Sequence, residues 1–293
     1  MNTITFDNKI AHVSLEQLRE SMDEVSLGHK PLNGIRHIDV FDRVLSMAEE
    51  FDLKPIINPI IIADAGPSSL PGITRLPIME ERFGKDTINA MVIRRLLGSI
   101  KLLNLADERS NATIAISFHQ NGFQMAYGQE VKVCSNLSIL GGKLVSSYGE
   151  NSIKDITKMF EVIHSYLQNH SYHREVDNTL FNRMWEIQID EPEAMRMIGE
   201  LKCLAVKEVY LKGDTAPLNI TQTTEYAKEY LKKSQSDPAF ISNLYGMYNI
   251  GTGTFREGGD ITAVLPKNKQ LGIYMMQKYD FKDIIDKYKI ELN

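Results

Sequence analysis

Residues 112–131 read ATIAISFHQNGFQMAYGQEV, and the Asn121-Gly122 pair at their centre leaves the chain few options. Ile114, Ile116 and Phe118 alternate before it; Phe123, Met125 and Tyr127 alternate after it. Both residues of an Asn-Gly pair tolerate the positive φ of a type I′ turn, whose twist matches that of two antiparallel strands. The spacing therefore predicts a β-hairpin. Gly128-Gln129 is expected to turn the chain again into a third strand, Val131 to Cys134. The apolar run RRLLGSIKLLN just upstream suits strand or helix equally.

Outside this region helical periodicity prevails. Ser14-Leu-Glu-Gln17 has the layout of a capping box. Ile38, Phe41, Val44, Leu45, Ala48 and Phe51 repeat at helical spacing, and the first fifty residues read as helix. PIINPIIIA, Pro55 to Ala63, is a β-branched run split by Pro59; Ala65 to Pro77 then holds three prolines and two glycines and reads as loop. Beyond residue 150 helices are expected over 152–168, 174–189, 192–210, 221–235 and 238–249, with a helical tail. Glu191-Pro192 and Asp237-Pro238 serve as start signals. Strands gathered in the first half and helices in the second give an α+β class. The expected layout is an N-terminal helical segment (1–53), an antiparallel β-rich region (54–150) and a helical region (151–293) packed on the sheet as one globular unit.

Charge excludes one broad class. The chain has 33 Lys+Arg against 38 Asp+Glu, a net charge of -5. Residues 1–150 hold 15 basic and 18 acidic side chains, which leaves 18 and 20 for the rest, so neither half is basic. The electrostatic footprint of a dedicated duplex-DNA binder is missing. No apolar run is long enough to span a bilayer, and the N-terminus has no signal-peptide layout. Two distant cysteines, Cys134 and Cys203, point to reduced thiols. A soluble, cytoplasmic protein is the expectation.

The candidate sites are few. YNIGTGTFREGGD (Tyr248 to Asp260) suggests a phosphate loop. Such a loop needs a strand before its glycines and a helix after them. Here a helix precedes Gly251, so the expectation is a C-terminal capping glycine and a surface loop over 251–259. His164, His170 and His173 lie at spacings that do not bring imidazoles to one metal. No nucleophile elbow is present, and Cys134 sits in a strand-like run. No catalytic residue, cofactor or metal site is assigned. For single-stranded nucleic acid, aromatic rings interleaved with cations on a sheet would serve as a stacking platform. Arg94, Arg95, Lys101, His119, Phe123 and Tyr127 are the candidates for it.

Two strings, VKVCSNLSILGG (Val131 to Gly142) and NLYGMYNIGTG (Asn243 to Gly253), together with the QNGFQMAYGQ hairpin, resemble a domain-of-unknown-function family. That family is carried by phages, plasmids and Bacteroidetes mobile elements. The resemblance runs over about residues 85–270 and implies a mobile-element origin without supplying catalytic residues. Cys134, Asn136, Tyr245, Tyr248, Asn249, Gly251 and Gly253 in those strings read as structural. Two functions stay open. One is a non-enzymatic factor that binds and occludes a host protein, such as a component of an anti-phage defence complex. It would use an exposed patch on the C-terminal helices, with Met195, Met197, Met275 and Met276 as candidates, and the same face could build a homo-oligomer. The other is a single-stranded nucleic-acid-binding accessory of replication or recombination. An enzyme of unrecognised type ranks third.

Overall fold

The computed structural model describes residues 10–20, 37–63, 95–106, 110–119, 122–131, 137–138, 144–146, 152–211, 215–257 and 264–290. Its strands are β1 (Ile10–Val13), β2 (Pro55–Ile57), β3 (Ile60–Ala63), β4 (Arg95–Ala106), β5 (Ser110–His119), β6 (Gly122–Val131), β7 (Leu137–Ser138) and β8 (Leu144–Ser146). Its helices are α1 (Leu15–Glu20), α2 (His37–Glu50), α3 (Ser152–Gln168), α4 (His170–Glu186), α5 (Glu191–Leu211), α6 (Ile220–Ser236), α7 (Leu244–Glu257), α8 (Val264–Lys278) and α9 (Lys282–Tyr288). The class is α+β, with the sheet in the first half and helices dominating the second.

The sheet order is β1-β3-β4-β5-β6-β7, with β2 also on β4 and β8 on β6. The apolar run around Pro59 becomes two short strands on one neighbour. Ile57 pairs with Ile100 and Ile61 with Leu97, both antiparallel. Pro59 has no N–H for the ladder, so the run breaks there. Asn58 holds the break, its backbone N–H donating to the Ser99 carbonyl (3.0 Å) and its side chain to Ser99 Oγ (2.7 Å). RRLLGSIKLLN resolves as strand from Arg95 onward.

β5 and β6 are neighbours in the sheet, as the alternation predicts; the connection between them, Gln120 and Asn121, lies outside the described residues. Residues 111–118 of β5 are buried without a break; small Thr113, Ala115 and Ser117 alternate with Ile114, Ile116 and Phe118. Gly128-Gln129 does not turn the chain. β6 runs straight through both, and Gln129 pairs with Ser138 of β7. The expected third strand, Val131 to Cys134, lies outside the described residues apart from Val131, which ends β6. The N-terminal segment is not all helix either, since β1 pairs with β3.

The chain divides into two compact units. One comprises Met1–Leu105, Thr113–Ala126 and Val145–Gln168; the other comprises Ala106–Ala112, Tyr127–Leu144 and Asn169–Asn293.

In the first unit the capping box forms as read. Gln17 N–H donates to Ser14 Oγ (3.1 Å) and Ser14 N–H to Gln17 Oε1 (2.8 Å). α2 buries Ile38, Val40, Phe41, Val44, Met47 and Ala48. It ends with Leu53 N–H reaching Ala48 O (3.0 Å) and Asp52 N–H reaching Glu49 O (3.0 Å), while Asp52 adopts φ 54°. That is a Schellman cap with aspartate in the left-handed position. α3 buries Ile156, Met159, Ile163 and Leu167, one stripe at helical spacing.

The second unit is a helical bundle around α7. α6 opens with a reciprocal capping box between Asn219 and Gln222. α4 buries Val176, Leu180, Phe181 and Met184; α8 buries Val264, Leu265, Leu271, Met275 and Met276. The tail is two helices rather than one, interrupted at Asp280 (φ 56°), where Phe281 N–H bonds to Met276 O (3.1 Å).

Candidate functional site

The glycine string is settled by its surroundings. Residues 238–242 form a turn, not the start of a helix; Asn243 then caps α7, its Oδ1 accepting from Gly246 N–H (2.9 Å). From there α7 is buried on every side, including Tyr245, Met247, Tyr248, Ile250 and Phe255. Gly251 and Gly253 lie inside this helix, so neither the phosphate loop nor the capping glycine is correct. A buried helix that packs on three others rewards small residues where backbones approach. A Cβ at Gly251 would sit 2.6 Å from Leu271 Cδ2. The local sequence reads as loop because glycine, threonine and asparagine are weak helix formers, and burial on all sides overrides that preference. The described part of the expected loop, 251–257, is helical; 258–259 lie outside the described residues.

The polar groups of α7 are satisfied from within. Asn249 Nδ2 donates to Tyr245 O (3.0 Å), Thr252 Oγ1 to Asn249 O (3.1 Å) and Thr254 Oγ1 to Gly251 O (2.7 Å). Tyr248 OH points at Asn268 (3.5 Å). Tyr245 stacks on Trp185, with ring centroids 4.6 Å apart, and meets the edge of Phe181 at 5.5 Å. Tyr245 and Tyr248 thus reach neighbouring helices and Gly251 lies where Leu271 approaches, whereas the Asn249 bond closes within α7 itself. Cys134 and Asn136 lie outside the described residues.

The stacking platform fails on burial. Phe123 and Tyr127 are fully buried. Phe118 and Phe123 meet each other (4.8 Å) and the edge of buried His37 (4.3 and 5.6 Å), an aromatic core cluster. A ring in the core offers no face to a base. Arg95 and Lys101 lie on β4 and are half-buried; Arg94 and the side chain of His119 fall outside the described residues. The three histidines do not converge. His164 faces Glu50 (3.5 Å) and the Phe51 ring, whereas His173 lies against Tyr127 and Tyr172. Among the described residues no three His, Cys, Asp or Glu side chains could hold a metal ion.

Two polar features lay beyond sequence reasoning. One is an open groove of about 740 Å³ between α4 and α9, lined by Arg183, Glu186, Asp280, Lys282, Asp283 and Asp286. The other ties α5 to α8. Tyr274 OH and Lys278 Nζ both donate to Glu200 Oε2 (2.8 Å each), and Tyr279 OH donates to Glu193 Oε1 (2.6 Å). Arg196 closes on Glu193 at 2.8 Å. The Lys278 hydrogen bond, ahead of that from Tyr274, holds the Glu200 carboxyl below the usual range. Burial first, then the bonded carboxylates, push the Tyr274 and Tyr279 hydroxyls far above theirs. Phenols so held keep their protons, and the cluster is a fastening rather than an acid–base device.

Its pH dependence follows. A folded-state pKa raised above the unfolded value near 10 gives stability that is whole below pH 10 and drains as pH rises beyond it. Each such tyrosine removes up to about 1.4 kcal/mol per pH unit in that window. Urea midpoints taken from pH 8 to 11 should fall for the wild-type chain and fall less for Tyr274→Phe/Tyr279→Phe. Parallel curves would remove the two phenols from the account.

The feature with the clearest capacity for binding is the outer face of α5. Met195, Gly199, Cys203, Val206 and Tyr210 are all exposed, and at 3.6 residues per turn they fall within about 80° of one another. Val209 borders the patch on one side; Tyr210 is 72% exposed. The opposite face buries Ala194, Met197, Leu201 and Ala205. Of the four methionines singled out from sequence, Met195 alone is exposed, and Met197, Met275 and Met276 are in the core. No protein-family model, curated protein or solved structure matches the chain. Among the described residues no helix is long and apolar enough to cross a membrane.

Proposed function

We propose that this chain works by stoichiometric contact with another protein across the exposed face of α5, without a reaction of its own. In the mobile-element setting that its strings resemble, the target of such a factor is a host protein, and occlusion follows from contact alone. The observation that carries the reading is the apolar stripe from Met195 to Tyr210. Single exposed apolar residues are ordinary, but a contiguous row on one helix face is a common mark of an interaction surface. Burial of Phe123 and Tyr127 weighs against the nucleic-acid alternative.

Capture from bacterial lysate with the tagged full-length chain tests this, with and without nuclease, against a Val206→Glu/Tyr210→Glu variant. The expected result is a nuclease-resistant protein retained by the wild-type chain and reduced about tenfold or more by the variant, as loss of central contacts does at interfaces. Capture that vanishes with nuclease, or that the variant leaves unchanged, would count against the reading.

A further inference from the structure

We propose that the outer face of α5 is covered by the same face of a second copy, the two helices antiparallel about a twofold axis near Cys203. The inference rests on α5 being a protein-contact surface and names an occupant for it. What favours a second copy is self-complementarity. In a twofold antiparallel pair, each flank of one helix meets the same flank of the other with the order of residues reversed. Glu200 and Lys207 share one flank, about 80–100° from the centre of the stripe at 3.6 residues per turn. With the axis between Cys203 and Leu204, each Lys207 stands opposite the partner copy's Glu200, so two opposite-charge pairs form by symmetry. Lys207 is exposed and makes no ion pair among the described residues. The Glu200 side chain remains 44% exposed although it already receives Lys278 and Tyr274.

Shape agrees with charge. The same axis sets Tyr210, the largest exposed ring on the face, within a turn of the partner copy's Gly199 and Met195. A Cβ built on Gly199 meets nothing within 4 Å, so this is a gap in the face. Val206 falls against Cys203 at the centre. The pattern is a ring facing a gap and a cation facing an anion, each used twice. A parallel pair in register would instead set Tyr210 against Tyr210 and carry the two copies of Lys207 to opposite sides of the seam, away from the partner copy's Glu200. One helix face per copy lies at the low end of interface sizes, so the expected dissociation constant is on the order of 10 µM. A second copy and any other protein using this face exclude one another.

Sedimentation equilibrium of the full chain from about 1 to 200 µM should show 33.3 kDa monomers passing reversibly to dimers. Val206→Glu should raise the dissociation constant about tenfold or more. Lys207→Glu should raise it about fivefold, and Glu200→Lys with Lys207→Glu should restore it. Because Glu200 also fastens Tyr274, a positional readout accompanies the swap. A short bismaleimide should link two wild-type chains, and Cys203→Ser should abolish the link. Monomers at every concentration overturn the proposal, as do dimers indifferent to Val206→Glu that lack the Cys203 link. A monomer that still captures another protein through α5 overturns self-pairing while the binding reading stands. A monomer that captures nothing fails both.

Discussion

Gly246→Ala is expected to cost about 3 kcal/mol or more, at or above the upper end of overpacking penalties. A Cβ at this position would lie 1.7 Å from the Phe240 carbonyl oxygen, 2.7 Å from its carbon and 3.1 Å from Ile241 Cα. These are backbone atoms, so no side-chain rotation relieves the clash. The turn they belong to is itself fixed: Phe240 N–H bonds to Asp237 O, and Ile189 N–H and Leu244 N–H tie residues 242–244 to the end of α4 through Ser242 O and Ile187 O. Moving the turn strains those bonds; moving α7 disturbs the centre of the bundle. Gly199→Ala is the control, because open space surrounds it and an exposed helical site gains from alanine. Urea unfolding of both variants checks this. A Gly246→Ala midpoint within about 0.5 kcal/mol of wild type would mean that the turn yields freely.

The same residues explain what the sequence could and could not disclose. The hairpin and the two capping boxes are local devices whose signals lie within four residues, and α3 repeats its stripe in the sequence alone. The register of α7 is not local. Its string of glycine, threonine and asparagine reads as loop by propensity, and becomes helix because Leu271 and Tyr226 press on Gly251 from elsewhere in the chain. Gly128 reads as a turn on composition, yet β6 continues through it with β7 as a neighbour. The candidate site shows the limit most clearly. α5 was legible as a helix, but it is apolar on two sides. Met197 and Leu201 mark one side; Met195 and Val206 mark the other. Periodicity sees both, and only the packing of α6 and α8 decides which goes inside. The Glu193 and Glu200 fastenings join residues more than seventy positions apart, beyond the reach of any spacing rule.

In the first unit, Phe41→Ala should cost about 3–5 kcal/mol, the usual range for emptying a buried phenylalanine site. Its ring is fully buried and lies over Gly98 of β4. A Cβ on Gly98 would sit 2.5 Å from Phe41 Cζ, 2.9 Å from Cε1 and 3.3 Å from Ile60 Cγ1. The strand thus gives up a side chain so that the ring can rest against its backbone. Gly98→Ala alone should cost about 1–3 kcal/mol by overpacking. The ring is the far end of a side chain, but with no exposure it has nowhere to swing. Coupling between the two positions separates this account from a plain loss of glycine flexibility. Phe41→Leu shortens the obstacle, and in that background Gly98→Ala should cost less than about 1 kcal/mol, a coupling of about 1 kcal/mol or more for residues in contact. The four proteins of this cycle, unfolded in urea, give the coupling directly. Additivity within about 0.5 kcal/mol would show that the strand backbone, not the Phe41 ring, is what demands glycine at position 98.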